Sequence, residues 1–194
     1  TTPCGQAKDA TKMACAGGDK CKGLGGTEAM LDAEYVNAMG AGVETEFWGF
    51  SGNNPYAPQQ EPFLKWLYAV GNTSDADVPK LFSTSYGEDE ASIPEQWQVR
   101  TNAEFVKAGA RGISLLFASG DSGAAGDSGC PKDAHGNSLF QPQWPSGSPY
   151  VTAVGGTSGP NPESAAGLSS GGFSNKWKRP DWQKDAAAKY LSNA

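Results

Sequence analysis

The tetrapeptide Gly-Asp-Ser-Gly occurs twice in quick succession, at Gly120–Gly123 and at Gly126–Gly129. A serine in that setting raises the question of a nucleophile, Ser122 or Ser128. A serine hydroxyl attacks a carbonyl only when a neighbouring base takes its proton and a third group orients that base. The usual base is an imidazole. The chain holds one histidine, His135, which lies downstream in a polar stretch of residues 132–138. An arrangement with a histidine base ahead of the serine is therefore excluded for both.

Carboxylates are the other candidate bases. Glu28 and Asp32 stand four residues apart, a spacing that puts two side chains on one helical face. Like charges so placed repel unless one carries a proton or both address a third group, so the pair titrates as a unit. A carboxylate base suits acidic solution, where an imidazole stays protonated. The same spacing fits a solvated acidic helix face extended by Glu34, and spacing alone leaves both readings open.

The elements that must position these residues alternate between strand and helix. Thr27 is placed to cap a helix over Glu28–Met39, with Leu31, Tyr35 and Ala38 on an apolar face and Gly40 ending it. Val43–Phe50 is predicted to be a strand. Glu61–Val70 reads as a helix with Pro62 in its first turn. Lys80–Tyr86 reads as a short strand running into the acidic turn Gly87-Glu88-Asp89-Glu90, expected to be solvated surface. A long helix is predicted over Glu95–Ala110, with Val99, Ala103, Val106 and Ala110 stacked at helical spacing. Ile113–Ala118 and Tyr150–Val154 complete the strands. This alternation predicts an α/β fold, a parallel sheet with helices on both faces. Active groups of such sheets gather on loops at the strands' carboxyl ends, and the first Gly-Asp-Ser-Gly leaves the end of Ile113–Ala118.

The 194 residues suffice for one domain with a core. A net charge of -6 argues against nucleic acid or an anionic membrane as partner. No apolar run approaches membrane-spanning length. The cysteines, Cys4, Cys15, Cys21 and Cys130, form no C-x-x-C pair, which argues against a zinc site. With the sequon Asn72-Thr73-Ser74, a candidate glycosylation site, they favour an oxidising, secretory-route compartment. The chain starts at Thr1, as expected of a processed chain or a fragment. Residues 1–26 are read as an irregular, cysteine-containing lead and 27–194 as the domain proper.

Six stretches carry a family resemblance: GTEAMLDAEYVNAMGA, EPFLKWL, STSYGEDE, ARGISLLFASGDSGAAG, QWPSGSPYVTAVGGTS and SGGFSNKWKRPDWQ. In this order, from Gly26 to Gln183, they resemble the sedolisin family of serine-carboxyl peptidases, most closely its lysosomal tripeptidyl-peptidase branch. The resemblance implies a subtilisin-like fold in which glutamate and aspartate replace the histidine and aspartate of a triad. Carried over by position, Glu28 is the general base acting on a nucleophilic serine, and Asp32 hydrogen-bonds Glu28. Asp121 is the acidic member of the oxyanion hole, protonated at working pH so that it donates to the developing negative charge. Ser122 is then no nucleophile; with Gly123 it shapes the turn that aims Asp121. The second tetrapeptide falls in an insertion relative to the family pattern and receives no role beyond a polar loop. Ser85-Tyr86-Gly87 matches the segment that lines the substrate cleft and pairs with substrate backbone. Glu28, Asp32 and Asp121 are expected to converge on one cleft.

The family nucleophile lies in a Ser-Gly-Thr-Ser-Ala-Ser motif beyond the Gly-Gly-Phe-Ser-Asn segment, and this chain contains no such motif. The family's calcium ligands belong to the same later part, so no cofactor or metal site is expected in this chain. The expected function is acid-acting hydrolysis of peptide bonds, as a tripeptidyl-peptidase or endopeptidase. A companion C-terminal segment brings the serine, either because the enzyme is nicked or because the sequence is truncated. A non-catalytic peptide-binding or structural glycoprotein of the same fold is the alternative. The missing serine favours it and the three retained carboxyls oppose it. Peptide or protein substrates, a lysosomal, vacuolar or secreted location, and a Cys130 that is free or bridged to the later segment follow from the same resemblance.

Overall fold

The computed structural model describes residues 27–50, 53–54 and 61–193. The chain divides between Trp66 and Leu67 into two units. In the first, helix α1 spans Thr27–Met39 and closes where the Gly40 amide bonds the Val36 carbonyl at 2.9 Å. The expected apolar face is not buried: Leu31 is 46% and Tyr35 64% exposed. Met30, Val36 and Met39 are exposed as well, so apolar side chains ring this helix. An i, i+4 pair drawn from such a ring selects no buried side.

Val43–Phe50 is likewise not a strand. It runs irregularly with a single bridge residue at Gly49 and spends its polar groups locally, the Trp48 indole donating to Glu46 at 2.7 Å. Alternation names the face a strand would bury, but a strand also needs a ladder partner. Helix α2, Phe63–Asn72, begins two residues later than expected because the Pro62 carbonyl accepts from the Lys65 and Trp66 amides, at 2.9 and 3.3 Å. Its residues Phe63, Trp66, Leu67 and Val70 are buried at the i, i+3, i+4, i+7 spacing of an amphipathic helix.

The second unit is built on three parallel strands in the order β1-β3-β5: β1 Leu81–Thr84, β3 Ser114–Ala118 and β5 Thr152–Val154. Phe82 lies opposite Leu115, Thr84 opposite Phe117, and Ala118 opposite Val154. Helix α3 spans Glu95–Ala110, as expected. Its orientation is not as expected: Val99 is 51% and Val106 45% exposed, whereas Trp97, Thr101, Phe105 and Ala108 are buried. The two aromatic side chains decide the phase, because they carry the most apolar area to hide. Phe105 meets Phe117 of β3 edge-on, with ring centroids 5.7 Å apart, and lies 6.4 Å from the Trp144 ring.

Gly112, at φ +72°, turns the chain out of α3 while the Ile113 amide still reaches the Ala108 carbonyl at 3.1 Å. Arg111 meanwhile satisfies the open end of α2, donating to the carbonyls of Val70 and Thr73 at 2.8 and 2.6 Å. Two short antiparallel pairs lie beside the sheet: β2 Glu88–Asp89 with β4 Gln143–Trp144, and β6 Thr157–Ser158 with β7 Ser164–Ala165. Helix α4, Lys184–Leu191, follows. Among the described residues no helix is long and apolar enough to cross a membrane.

Candidate active site

Because Thr84 of β1 lies opposite Phe117 of β3, the segments Ser85–Gly87 and Ser119–Asp121 leave the same end of the parallel sheet. That is the carboxyl end, where the sequence places the chemistry. The Ser119 amide extends the ladder by one bond, to the Val154 carbonyl at 2.9 Å. The chain then turns at Gly120, φ +106°. A Cβ there would stand 2.8 Å from the Gln143 side chain and from the Ser170 hydroxyl, so the position requires glycine on both conformation and space.

The loop around Asp121 is tied down on two sides. From one side comes the segment Leu168–Ser170. Ser170 donates its amide to the Gly120 carbonyl at 2.9 Å and accepts the Ser122 amide on its hydroxyl at 3.2 Å. The Gly123 amide reaches the Leu168 carbonyl at 2.9 Å, and the Ser119 and Ser169 hydroxyls meet at 3.2 Å. Asp121 itself is exposed at the tip. Ser122 and Gly123, the latter at φ +58°, thus shape the turn that presents it.

From the other side comes the acidic run, and here the expectation of solvated surface is overturned. Glu88 is half-buried, and Asp89 and Glu90 are only 3% and 1% exposed. Asp89 accepts the amides of Asp127 and Ser128 at 2.9 and 2.8 Å and the Gln143 side-chain amide at 2.6 Å. Burial alone would push its carboxyl up. The bonds from Ser128, Asp127 and Gln143 outweigh that and hold it below the usual carboxylate range. Glu90 accepts from the Ser174 hydroxyl and, at 2.9 Å, from the Asn175 amide. These carboxylates went unrecognised in the sequence because most of their partners are backbone amides, which every segment possesses. The usable signal was position: the run leaves the carboxyl end of a strand, where the loops of neighbouring strands gather.

The second tetrapeptide is therefore more than a polar loop. Gly126, at φ +65°, turns the amides of Asp127 and Ser128 onto Asp89, and a Cβ at Gly126 would collide with that carboxylate. The Ser122 hydroxyl donates to the Asp127 carboxylate at 2.7 Å.

Ser85, Tyr86 and Gly87 are half-buried, with the Tyr86 hydroxyl donating to Glu88 at 2.5 Å. A Cβ on Gly87 would come within 3.3 Å of the Trp144 carbonyl. Glu28 and Asp32 sit one turn apart on α1, the first exposed and the second half-buried; they belong to the first unit and Asp121 to the second. Asn72 is exposed at the end of α2. Cys130 carries a free, exposed thiol, and Cys4, Cys15 and Cys21 lie outside the described residues. No group of three or more His, Cys, Asp or Glu side chains among the described residues could hold a metal ion.

No family model matches the chain. Tripeptidyl-peptidase 1 of Bos taurus is 44% identical over 182 residues, which is 91% of this chain and 31% of that protein. The Mus musculus and Homo sapiens proteins are each 43% identical over the same shares. The chain thus spans under a third of the length of these relatives. Among solved structures, a Pseudomonas sedolisin (serine-carboxyl proteinase) complexed with pseudo-iodotyrostatin matches with a TM-score of 0.51 at 24% identity, covering 68% of this chain and 40% of that one. That likeness is one of fold, the subtilisin-like α/β arrangement, here with an incomplete sheet. Identity of this order along nine-tenths of the chain, on that fold, makes the chain a member of the sedolisin family, on its tripeptidyl-peptidase side and covering part of such a protein.

Proposed function

We propose that this chain supplies the base and the oxyanion-binding part of an acid-acting serine-carboxyl peptidase that removes tripeptides. The observation that carries the reading is the placement of Asp121. It stands exposed at the carboxyl end of β3, on a turn held from both sides, beside the segment Ser85–Gly87 that leaves the same end of the sheet. In the proposed enzyme Glu28 takes the proton of a serine located on a segment outside this chain, and Asp32 shares that proton with Glu28. Asp121, at a pH low enough for its carboxyl to hold a proton, donates to the oxyanion of the tetrahedral intermediate. Ser85, Tyr86 and Gly87 offer an edge along which the substrate lies as an added strand. The calcium that the family resemblance implies has its ligands on the same outside segment, and no step here runs through it. Asn72 carries an N-linked glycan, and the protein works in a lysosome, a vacuole or outside the cell.

The test is made on the full-length protein that contains this chain, with peptide substrates bearing a free amino terminus. Glu28→Gln is expected to lower kcat by about 10²–10⁴-fold, and Asp121→Ala by about 10²–10³-fold. Asp121→Asn keeps a donor and should retain part of the activity while losing the fall of rate towards neutral pH. Full activity in Glu28→Gln, or an optimum above neutral pH in the parent protein, would sink the reading.

A further inference from the structure

We propose that the second Gly-Asp-Ser-Gly, Gly126–Gly129, is a positioning device for Asp121, with Asp127 as its working residue. This rests on the reading of Asp121 as the oxyanion donor. A donor aimed at a developing oxyanion must be held to fractions of an ångström, and Asp121 stands exposed between two glycines at positive φ, Gly120 and Gly123. The bonds from Leu168–Ser170 hold this backbone on one side, and the other side needs a hold of its own.

Asp127 is bonded at both ends. Its carboxylate accepts the hydroxyl of Ser122, the residue next to Asp121, at 2.7 Å. Its amide, with that of Ser128, grips the buried carboxylate of Asp89, and Asp89 is fixed in turn by Gln143 and by the pairing of β2 with β4. A short chain of bonds therefore runs from the neighbour of Asp121 to a carboxylate anchored in the core of the second unit. Gly126 lets the two tetrapeptides interlock, since any side chain there would strike Asp89. The link to Ser122 needs only an acceptor at the Asp127 position. The hold on Asp89 uses backbone alone and survives any substitution of the Asp127 side chain.

That separation makes the proposal testable in the full-length protein. Asp127→Ala is expected to lower kcat about tenfold with KM nearly unchanged, because a misplacement of about 1 Å at a reacting centre costs up to about 10²-fold. Asp127→Asn, whose amide oxygen still accepts from Ser122, should restore the rate. Ser122→Ala breaks the same bond from its other end and should reproduce the Asp127→Ala loss, which guards against a folding defect peculiar to one variant. If Asp127 acts through Asp121, adding Asp127→Ala to Asp121→Ala costs nothing further. Parental kcat in Asp127→Ala beside a strong loss in Asp121→Ala overturns the positioning role alone. So do losses that multiply in the double variant, or an Asn variant as poor as the Ala one. Parental kcat in Asp121→Ala overturns the reading beneath it.

Discussion

A carboxylate removed from water is costly unless hydrogen bonds replace its hydration, and Asp89 receives them from Asp127, Ser128 and Gln143. Although burial works the other way, those bonds leave its folded-state pKa below the ordinary value. The sign of the consequence is fixed. The unfolded chain binds the proton more readily, so Asp89 contributes stability above an unfolded pKa of about 3.9, and that contribution fades as pH falls through the lower folded value. The proposed acid-acting enzyme would gain from this, because the clamp stays ionised where ordinary carboxylates are taking up protons. Asp89→Asn should lower unfolding free energy at pH 6 by about 1–3 kcal/mol, the cost of leaving buried partners imperfectly paired. The deficit should shrink as pH drops below about 4, where the unfolded parent chain takes up a proton that its folded clamp still refuses. Denaturant titrations at the two pH values read it, and a deficit that does not change with pH counts against the ionised clamp.

Helix α3 shows what the sequence tells at the scale of elements and what it withholds. Its bounds were legible because Pro94 admits the chain into the first turn and Gly112, at φ +72°, takes it out. Its buried side was not, since Val99 and Val106 repeat at helical spacing as regularly as Trp97 and Phe105 do, and only area separates the two stripes. The same limit explains Val43–Phe50, whose pattern is strand-like but which runs irregularly with a single bridge residue at Gly49, because pairing is not written in any local window. At the candidate site, the strand end that presents Asp121 was legible from the run Ile113–Ala118. The grip on it was not, because the amides of Asp127 and Ser128 leave no mark in composition. The assignment of the α3 face predicts opposite outcomes for neighbouring residues. Phe105→Ala, emptying the space between Phe117 and Trp144, should cost about 3–5 kcal/mol, while Val106→Ala should stay within about 0.5 kcal/mol. Equal costs at the two positions in thermal or denaturant unfolding would contradict this orientation.

For the whole molecule, the second unit leaves apolar side chains uncovered on one face of its sheet. Phe82, Leu115 and Phe117 are buried on the side of α3. On the opposite side Leu81 is 57% and Val154 50% exposed, and the register places both on the face of Leu116 and Ala118. A parallel sheet is a structure that hides both faces. The relatives are more than three times as long as the stretch they share with this chain, so the proposed companion segment is the natural cover, arriving together with the nucleophile. The 194-residue chain prepared by itself should therefore bind an apolar dye, associate with itself and hydrolyse no peptide. Serine at both Leu81 and Val154 should reduce the first two behaviours. In the full-length protein the same pair of substitutions should instead destabilise, by about 1.5–3 kcal/mol for each apolar side chain that is buried there. Light scattering and dye fluorescence on the short chain, with unfolding of the long one, separate the cases. If the serines improve the short chain and leave the long one untouched, this face stays open to solvent in the full-length protein, and the companion segment does not cover it.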